Sequence, residues 1–285
     1  MNRNSVGILY IVATPIGNLQ DMSLRAIEIL KSVSGIVAED TRHSQPLLQH
    51  FSIATPVAAL HEHNERERTQ QLLQRLQKGE DIALISDAGT PLISDPGYYL
   101  VREAQQAGIR VVPIPGACAA IAALSAAGLA TDRFIFEGFL PAKAGARDHR
   151  LTALRNESRT LVFYEAPHRV LDLLQAMLTI YGPERRVVIA RELTKLFETI
   201  KSAPLQELVE WVSADPNQQR GEIVILVEGL KEIADSTLLE MQRILTTLLT
   251  DLPLKQAVEL TAKITGIKKN EVYALALEIK QQRHD

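Results

Sequence analysis

The stretch ISDAGTPLISDPG, residues 85–97, decides the fold, because it joins an apolar run at 81–85 to a helical pattern through two turn-rich clusters. A short apolar run is typical of a buried strand, and the Asp, Gly and Pro residues after it force the chain to turn. Ligands of open α/β sheets bind at the carboxyl ends of the strands. The stretch therefore predicts a ligand loop, followed by a helix that begins at Asp95 and Pro96 and runs to about Gln106.

An ordinary strand-to-helix connection is the alternative, because such a connection needs Gly, Pro and Asp for backbone reasons alone. The length of the stretch favours the ligand loop. Its thirteen residues hold two each of Asp, Gly, Pro and Ser, more than a short connection requires, and long loops in compact domains are often functional. We expect the free backbone N–H groups of the following helix to face the same crevice.

Apolar runs and helical patterns alternate along the first part of the chain, which predicts an α/β domain with a mainly parallel sheet. Pro113, Pro115 and Gly116 interrupt this alternation before a second set of strands, so we predict a domain boundary near Pro115 and a binding cleft between the two domains. The predicted strands are 8–14, 35–39, 55–60, 81–86, 109–114, 133–139, 159–164, 186–191 and 222–228, and the predicted helices are 23–33, 64–78, 95–107, 117–127, 168–180 and 204–213.

The tail from about Ser236 changes character and shows three short helical patterns, separated by Pro253 and Gly266. The second and third patterns have helix-turn-helix spacing, although a plain helical cap on the second domain explains them equally well. The predicted domains are therefore an N-terminal α/β domain at 1–115, a second α/β domain at 116–233 and a small C-terminal helical domain at 234–285.

The composition is that of a soluble globular protein, because 46% of the 285 residues are hydrophobic, 23% are charged and the net charge is −3. No apolar run approaches the roughly 20 residues of a membrane helix and the N-terminus leads straight into a strand, so a cytoplasmic protein is expected. Cys118 is the only cysteine. Intramolecular disulfides and cysteine-cluster metal sites are therefore excluded, and a small buried side chain is expected at this position.

Motifs for nucleotides and metals give little support to either kind of site. The chain has no G-x-x-x-x-G-K-[ST] loop and no G-x-G-x-x-G turn, which argues against ATP hydrolysis and Rossmann-type dinucleotide binding. His61 and His63, with His43, would bind zinc only if their segment were irregular, and no third ligand has a diagnostic spacing. No metal site is predicted.

A local excess of positive charge lies between residues 143 and 159, where five basic residues face only Asp148 and Glu157. A solvated, mobile helix is the ordinary explanation of such a run. The basic residues are Lys143, Arg147, Arg150, Arg155 and Arg159.

Eight motifs at the predicted strand ends, in this order, resemble the tetrapyrrole methyltransferase-like superfamily, and more narrowly the bacterial ribosomal RNA small-subunit methyltransferase I family. Together they cover nearly all of residues 8–230. The motifs are VATPIGNLQDMSLRA (12–26), AEDTRHS (38–44), ISDAGTPLISDPG (85–97), VPIPGACAAIAALSAAGL (112–129), FEGFLP (136–141), YEAPHR (164–169), ARELTK (190–195) and GEIVILVEG (221–229).

The resemblance implies that S-adenosylmethionine binds in a cleft between two α/β domains, held mostly by the backbone of glycine- and proline-rich loops. It also implies a homodimer and the 2′-O-methylation of a cytidine ribose in the decoding region of small-subunit (16S) ribosomal RNA. For an RNA substrate, the basic segment beside the cleft suits phosphate contacts, which make binding dependent on salt, and the candidates for RNA contact are Lys143, Arg147, Arg150 and Arg155. For Phe163 and Tyr164, core packing is an equal alternative to a contact with the cofactor. The cofactor residues implied by the motifs are Leu60, Asp87, Ala88, Gly89, Ile93, Ser94, Ala117, Phe163, Tyr164, Ala190 and Glu222.

The implied reaction needs a way to handle the proton of a ribose hydroxyl, which is a poor nucleophile. The motifs offer Glu192 or Lys195 for the proton, and Arg42 with Arg191 for positioning a phosphate or ribose, although structural ion pairs explain each of them equally well. Two other functions stay open. One is a methyltransferase that acts on a corrin or porphyrin precursor, and the other is a non-catalytic RNA-binding factor for ribosome assembly.

Overall fold

The computed structural model describes residues 6–61, 64–230 and 234–282. It shows two compact units, Met1–Glu228 and Gly229–Asp285. The first unit contains two five-stranded sheets, whose strands lie on either side of residue 115. The three predicted domains, with boundaries after 115 and 233, stay a prediction, because a division into sheets is not by itself a division into domains.

The first sheet is entirely parallel, as the alternation of apolar runs and helices predicts, and its strand order is β3-β2-β4-β1-β5. Its strands β2 and β4 are buried along their whole length, which is typical of a parallel sheet covered on both faces. The strands are β1 (Ile8–Val12), β2 (Gly35–Ala38), β3 (Val57–Ala59), β4 (Ile82–Ile85) and β5 (Arg110–Ile114), and the helices are α1 (Leu24–Ser32), α2 (Thr41–His50), α3 (Glu65–Gln77) and α4 (Tyr98–Gln106).

The second sheet is mixed, with the strand order β6-β7-β10-β8-β9. Only β6 and β7 run parallel, and the other neighbours are antiparallel. One face packs on α7 and α8, and the other packs on α5. The strands are β6 (Phe134–Phe139), β7 (Thr160–Glu165), β8 (Arg186–Arg191), β9 (Thr199–Pro204) and β10 (Ile223–Val227), and the helices are α5 (Ala119–Ala126), α6 (Ala144–Ala153), α7 (Val170–Tyr181) and α8 (Leu205–Ala214).

The start of α4 differs from the prediction. The helix begins at Tyr98 rather than at Asp95 and Pro96, and Gly97 precedes it with a φ of +120°, a conformation that glycine adopts without strain. The first N–H groups of α4 do not face the crevice. Those of Tyr99 and Leu100 donate hydrogen bonds to Oε1 of Glu65, at 2.9 and 3.2 Å. The prediction that the free N–H groups of this helix face the crevice is therefore wrong for these two groups.

The second unit consists of three helices, α9 (Ala234–Asp251), α10 (Leu254–Thr265) and α11 (Lys269–Gln282). Their shared core includes Leu245, Val258 and Val272. Gly266 ends α10 in the left-handed conformation, with a φ of +73°, so the predicted turn between the last two helices is present. Within the described residues, no helix is long and apolar enough to cross a membrane.

Candidate functional site

A cavity of about 380 Å³ lies where the loops after β1 and β4 meet the ends of β7, β8 and β10. The cofactor candidates that line it are Asp87, Ala88, Gly89, Ile93, Ser94, Tyr164, Ala190 and Glu222. The structure therefore brings residues from seven of the eight motifs to one cavity, including Ile16 after β1 and Phe139 in β6.

Three of the cofactor candidates do not line this cavity. The side chains of Leu60 and Phe163 are fully buried in two hydrophobic cores. Since successive side chains of a strand point to opposite faces, Tyr164 lies at the cavity while Phe163 packs on the other side of the sheet. Ala117 contacts the cavity loop through its carbonyl oxygen, which accepts a hydrogen bond from Oγ1 of Thr90 at 2.9 Å.

The loop at 87–95 is held in place by its backbone. Gly89 and Thr14 exchange two N–H···O hydrogen bonds, at 2.8 and 3.0 Å, which attach the loop to the end of β1. Leu92 and Ser94 have φ values of +72° and +67°. Such conformations cost energy in non-glycine residues and persist where the surroundings impose them, often at functional sites.

The carboxylate of Asp87 is anchored to the start of α2. Its Oδ1 accepts a hydrogen bond from the backbone N–H of Asp40 at 3.1 Å, and its Oδ2 lies 2.9 Å from Nδ1 of His43. This hydrogen bond raises the pKa of His43 from its ordinary value, and the negative charge of Asp87 adds to the effect. His43 was considered above only as a zinc ligand, and its role here is to orient a carboxylate at the cavity wall.

Asp95 is a half-buried carboxylate at the same cavity. Burial and the negative charge of Glu39 raise its pKa to about 6, a hydrogen bond with Ser86 opposes the shift, and the charge of Asp87 adds to it. Burial and repulsion both disfavour the ionised form. This end of the cavity thus concentrates negative charge and would attract a cationic ligand.

We expect Asp95→Asn to stabilise the protein at pH 8 but not at pH 4. The pKa of Asp95 is raised in the folded state, so its contribution to stability is complete below the unfolded value near 3.8 and is lost as the pH rises through about 6. Because the side chain is only half-buried, we expect a gain of about 1 kcal/mol. Urea unfolding at both pH values measures the change in the free energy of unfolding, and Asp132→Asn, at an exposed position, is the control. An equal change at both pH values would contradict the expectation.

A lysine beside the cavity is held between two carboxylates. Nζ of Lys195 is 2.8 Å from Oε1 of Glu192 and 3.0 Å from Oε2 of Glu222. Burial disfavours its ammonium form, but the hydrogen bonds to the two carboxylates outweigh burial and raise the pKa of Lys195. Burial likewise opposes ionisation of Glu192, yet the hydrogen bond from Lys195 and the N–H of Glu222 lower its pKa. Lys195 and Glu192 are therefore both charged at neutral pH.

Two glycines make room for this cluster. A Cβ atom added to Gly221 would overlap the carboxyl group of Glu192, and one added to Gly17 would overlap the side chain of Lys195. Glu192 itself has a φ of +52°. The backbone is therefore shaped to place Lys195 beside Glu222, which lines the cavity.

The two arginine candidates lie outside the cavity wall. Arg42 is an exposed side chain that pairs with Asp40 through Nη2 at 2.6 Å. Arg191 is buried, and its Nη2 donates to the carbonyl of Phe197 and to Oγ1 of Thr199, at 3.2 and 3.3 Å. Arg191 therefore braces the loop that carries Lys195, and its role in positioning a substrate stays a prediction.

Cys118 and Tyr164 have roles at the cavity that were not predicted from the sequence. Cys118 is only half-buried and lines the cavity, so the expectation of a simply buried side chain is wrong. The hydroxyl of Tyr164 accepts a hydrogen bond from the N–H of Ala120 at 3.1 Å, and burial raises its pKa. An uncharged Tyr164 thus fixes the start of α5 at the cavity.

The basic segment forms α6 and the turn after it. Arg150 makes two hydrogen bonds with Glu137, at 2.8 and 2.7 Å, and Arg147 pairs with the neighbouring Asp148. Lys143 and Arg155 are exposed and form no ion pair within the described part of the chain. Of the four RNA candidates, these two offer the most available charge.

The described residues show no metal centre. Among the described residues, no group of three or more His, Cys, Asp and Glu side chains could hold a metal ion. The possible ligand His63 lies outside the described residues, together with Glu62.

Comparison with known families agrees with the arrangement of these sheets and loops. The model of the Tetrapyrrole (Corrin/Porphyrin) Methylases matches residues 8–209. A diphthine synthase structure superposes with a TM-score of 0.62 at 15% identity, covering 78% of this chain and 90% of its own. For a uroporphyrin-III-C-methyltransferase from Thermus thermophilus the TM-score is 0.56 at 18% identity, with 81% and 98% covered. The chain therefore has the tetrapyrrole methylase fold and belongs to this class of methyltransferases.

Full-length relatives define the family more narrowly. The ribosomal RNA small subunit methyltransferase I of Pseudomonas aeruginosa is 62% identical over 276 residues, covering 96% of this chain and 98% of the relative. The protein of that name from Escherichia coli O157:H7 is 56% identical over 275 residues, with 96% of each chain covered. The RsmI C-terminal HTH domain matches residues 235–280. The chain belongs to the ribosomal RNA small subunit methyltransferase I family.

Proposed function

We propose that this protein transfers a methyl group from S-adenosylmethionine to the 2′-hydroxyl of a cytidine ribose in the decoding region of 16S ribosomal RNA. The observation that carries the proposal is the charged lysine held beside Glu222 in the wall of a cavity that is also lined by Asp87 and Asp95. The names of the relatives support ribosomal RNA of the small subunit as the substrate. The target nucleotide follows from the sequence resemblance stated above.

The cavity suits S-adenosylmethionine in size, polarity and charge. Its volume of about 380 Å³ falls within the range of small-molecule sites, and a fold relative from Thermus thermophilus was solved with S-adenosyl homocysteine. Asp87 and Asp95 would contact the cationic amino-acid end, and the strained backbone at 87–95 would provide N–H and carbonyl groups. When bound, the cofactor supplies an activated methyl group.

Lys195 is best suited to stabilise the negative charge that develops on the attacking ribose oxygen. Its raised pKa keeps it protonated, so it does not act as a base at neutral pH. Glu192, whose pKa is lowered, is a weak base and instead orients Lys195. The hydroxyl proton would pass to water as the bond from oxygen to the methyl group forms and the bond from sulfur to the methyl group breaks, which leaves S-adenosylhomocysteine as the second product. A fixed cation aimed at developing charge lowers the barrier without having to reorganise during the reaction.

The experiment that tests this function is a map of ribose methylation in small-subunit ribosomal RNA from cells with and without the protein. We expect one cytidine of the decoding region to lose its methyl group when the gene is deleted and to regain it on complementation. In a parallel assay with purified protein, transfer only to a tetrapyrrole would establish the corrin or porphyrin alternative. Binding to ribosomal RNA without turnover would support the assembly factor.

We expect Asp87→Ala to weaken S-adenosylmethionine binding about tenfold, because a charge-assisted contact to the cationic end is lost. The variant should bind RNA normally. Calorimetric titration with the cofactor measures the effect, and Asp172→Ala, on α7 of the second sheet, is the control. Unchanged cofactor affinity in Asp87→Ala would show that this end of the cavity does not receive the amino-acid group.

We expect the double charge reversal Lys143→Glu and Arg155→Glu to weaken RNA binding at least tenfold and to flatten its dependence on salt, since each lost phosphate contact lowers the slope by about one. Cofactor affinity should not change. Arg150→Glu is a poor alternative, because it would place a carboxylate against Glu137. The measurement is a set of RNA titrations at several salt concentrations, and an unchanged slope would remove α6 from the RNA interface.

The proposal includes a homodimer that acts in the cytoplasm on ribosomal RNA or the 30S subunit. The superfamily resemblance supports the dimer, and the location follows from the substrate. The second unit, matched by a helix-turn-helix model, would add contacts to the substrate. Sedimentation analysis with and without RNA measures the oligomeric state.

A further inference from the structure

A cluster of two tyrosines and two arginines lies on the surface of α3 and α4. The guanidinium of Arg102 lies 5.9 Å from the ring centre of Tyr98 and 5.0 Å from that of Tyr99, and the guanidinium of Arg66 lies 5.8 Å from the ring of Tyr99. Tyr98 is 66% exposed. We call these four residues the Arg–Tyr platform.

The platform is rigid, because Glu65 joins the two helices that carry it. Oε1 of Glu65, in the first turn of α3, accepts hydrogen bonds from the N–H groups of Tyr99 and Leu100 in α4. Arg102 is also held at Nη2 by Oε1 of Glu103, at 2.9 Å. Planar groups fixed in this way lose little conformational entropy when a ligand stacks on them.

The platform lies close to the cavity. Tyr98 follows Asp95 by three residues, so their Cα atoms are within about 11 Å of each other, and Asp95 lines the cavity. Lys143, at the start of α6, follows another cavity residue, Phe139, by four residues. The platform therefore flanks the cavity on the side of the first sheet, while the basic segment flanks it on the side of the second sheet.

We propose that the Arg–Tyr platform binds an unpaired stretch of the RNA substrate, with a nucleobase stacked on Tyr98 and a phosphate near Arg66 or Arg102. This inference rests on the proposed function and extends it. Unpaired bases are recognised mainly by stacking on aromatic rings and guanidinium planes. A target nucleotide drawn into the cavity leaves unpaired neighbours, which would be held on both sides of it.

The surface fits RNA better than a protein. Tyr98 is the only large hydrophobic side chain that is more than a third exposed on the described α3 and α4, whereas the centre of a protein interface needs a larger apolar area. Arg66, Arg68 and Arg102 stand against three acidic residues, Glu65, Glu67 and Glu103, so the net charge does not favour either partner. The guanidinium groups of Arg66 and Arg68 are exposed and form no ion pair with another described residue, which leaves them available for phosphates.

The test compares Tyr98→Ala with Tyr98→Phe in the full-length protein, by titration with a transcript of the decoding region and with 30S subunits. We expect Tyr98→Ala to bind the transcript about tenfold more weakly and Tyr98→Phe to bind within twofold of the wild type, because phenylalanine keeps the stacking plane. Arg102→Ala should lower both affinity and salt slope. Arg25→Ala, on α1 at the other face of the sheet, should change neither.

Three results would overturn the inference. The first is that Tyr98→Ala binds the transcript as the wild type does. The second is that Tyr98→Phe binds as weakly as Tyr98→Ala, which would indicate a contact made by the hydroxyl group. The third is that Tyr98→Ala loses binding to intact subunits but not to the transcript, which would indicate contact with a ribosomal protein. Cofactor affinity and wild-type methylation of the subunits are measured alongside. If the wild type itself methylates no RNA, the proposed function fails, whereas normal wild-type methylation with unaffected variants rejects the platform alone.

Discussion

Lys195→Met is expected to lower kcat for RNA methylation about 100-fold or more while the affinity for S-adenosylmethionine changes little. The substitution keeps the unbranched side chain alongside Gly17 but removes the ammonium group that pairs with both Glu192 and Glu222. The loss of one group that stabilises a developing oxyanion typically costs this much. Single-turnover methylation at saturating RNA and cofactor measures it.

Lys201→Met is the matched control for this variant. Lys201, on β9, pairs with Glu207 on α8 and does not line the cavity. A phosphate contact by Lys195 would raise KM for RNA and leave kcat unchanged. That outcome, or normal turnover in Lys195→Met, would contradict a role in the transition state. Lys195→Arg should retain part of the activity, because it keeps the charge.

Gly221→Ala is expected to lower kcat at least tenfold, because it displaces Glu192 from Lys195. The new Cβ would overlap the carboxyl group of Glu192, so this side chain must move away from Lys195 and from the N–H of Glu222, with which it is now hydrogen-bonded at 2.8 and 3.0 Å. The cation would then lose its fixed position. Methylation rates and urea unfolding, measured on the same preparation, test this expectation.

Gly182→Ala separates the displacement of Glu192 from backbone strain. Gly182 and Gly221 have similar positive φ values, +87° and +81°, but a Cβ at Gly182 meets nothing within 4 Å. Both variants should lose about 1–2 kcal/mol of stability, and only Gly221→Ala should lose activity. Equal activities in the two variants would show that the position of Glu192 is unimportant.

Most of the first sheet and much of the cavity could be predicted from the sequence, because buried strands are short apolar runs and ligand loops carry turn residues. Helix α2 was not predicted, because it contains Pro46 and few apolar residues. Proline is ordinarily excluded from the interior of a helix. Strand β9 was missed because its sequence, TIKSAP, is polar and lies at the edge of the sheet. Local sequence signals are weakest at such elements.

Two features of the candidate site could not be predicted from the sequence without the fold. Lys195 and Glu222 are far apart in the sequence and meet only because β8 pairs with β10. The separation of Tyr164 from Phe163 depends on which face of β7 meets α5, and an unbroken apolar run does not reveal this. In contrast, the loop at 87–95 is continuous in sequence, so its place at the cavity was predictable.

The order of strands in the second sheet has a consequence for synthesis of the protein. Strand β10 is inserted between β7 and β8, which precede it in the chain. A nascent polypeptide therefore cannot complete this sheet, or the cavity wall at Gly221–Val224, until translation has passed about residue 227 and that segment has left the exit tunnel. Incomplete chains would expose the apolar edges of β7 and β8, which makes them candidates for chaperone binding before the enzyme can capture its methyl donor.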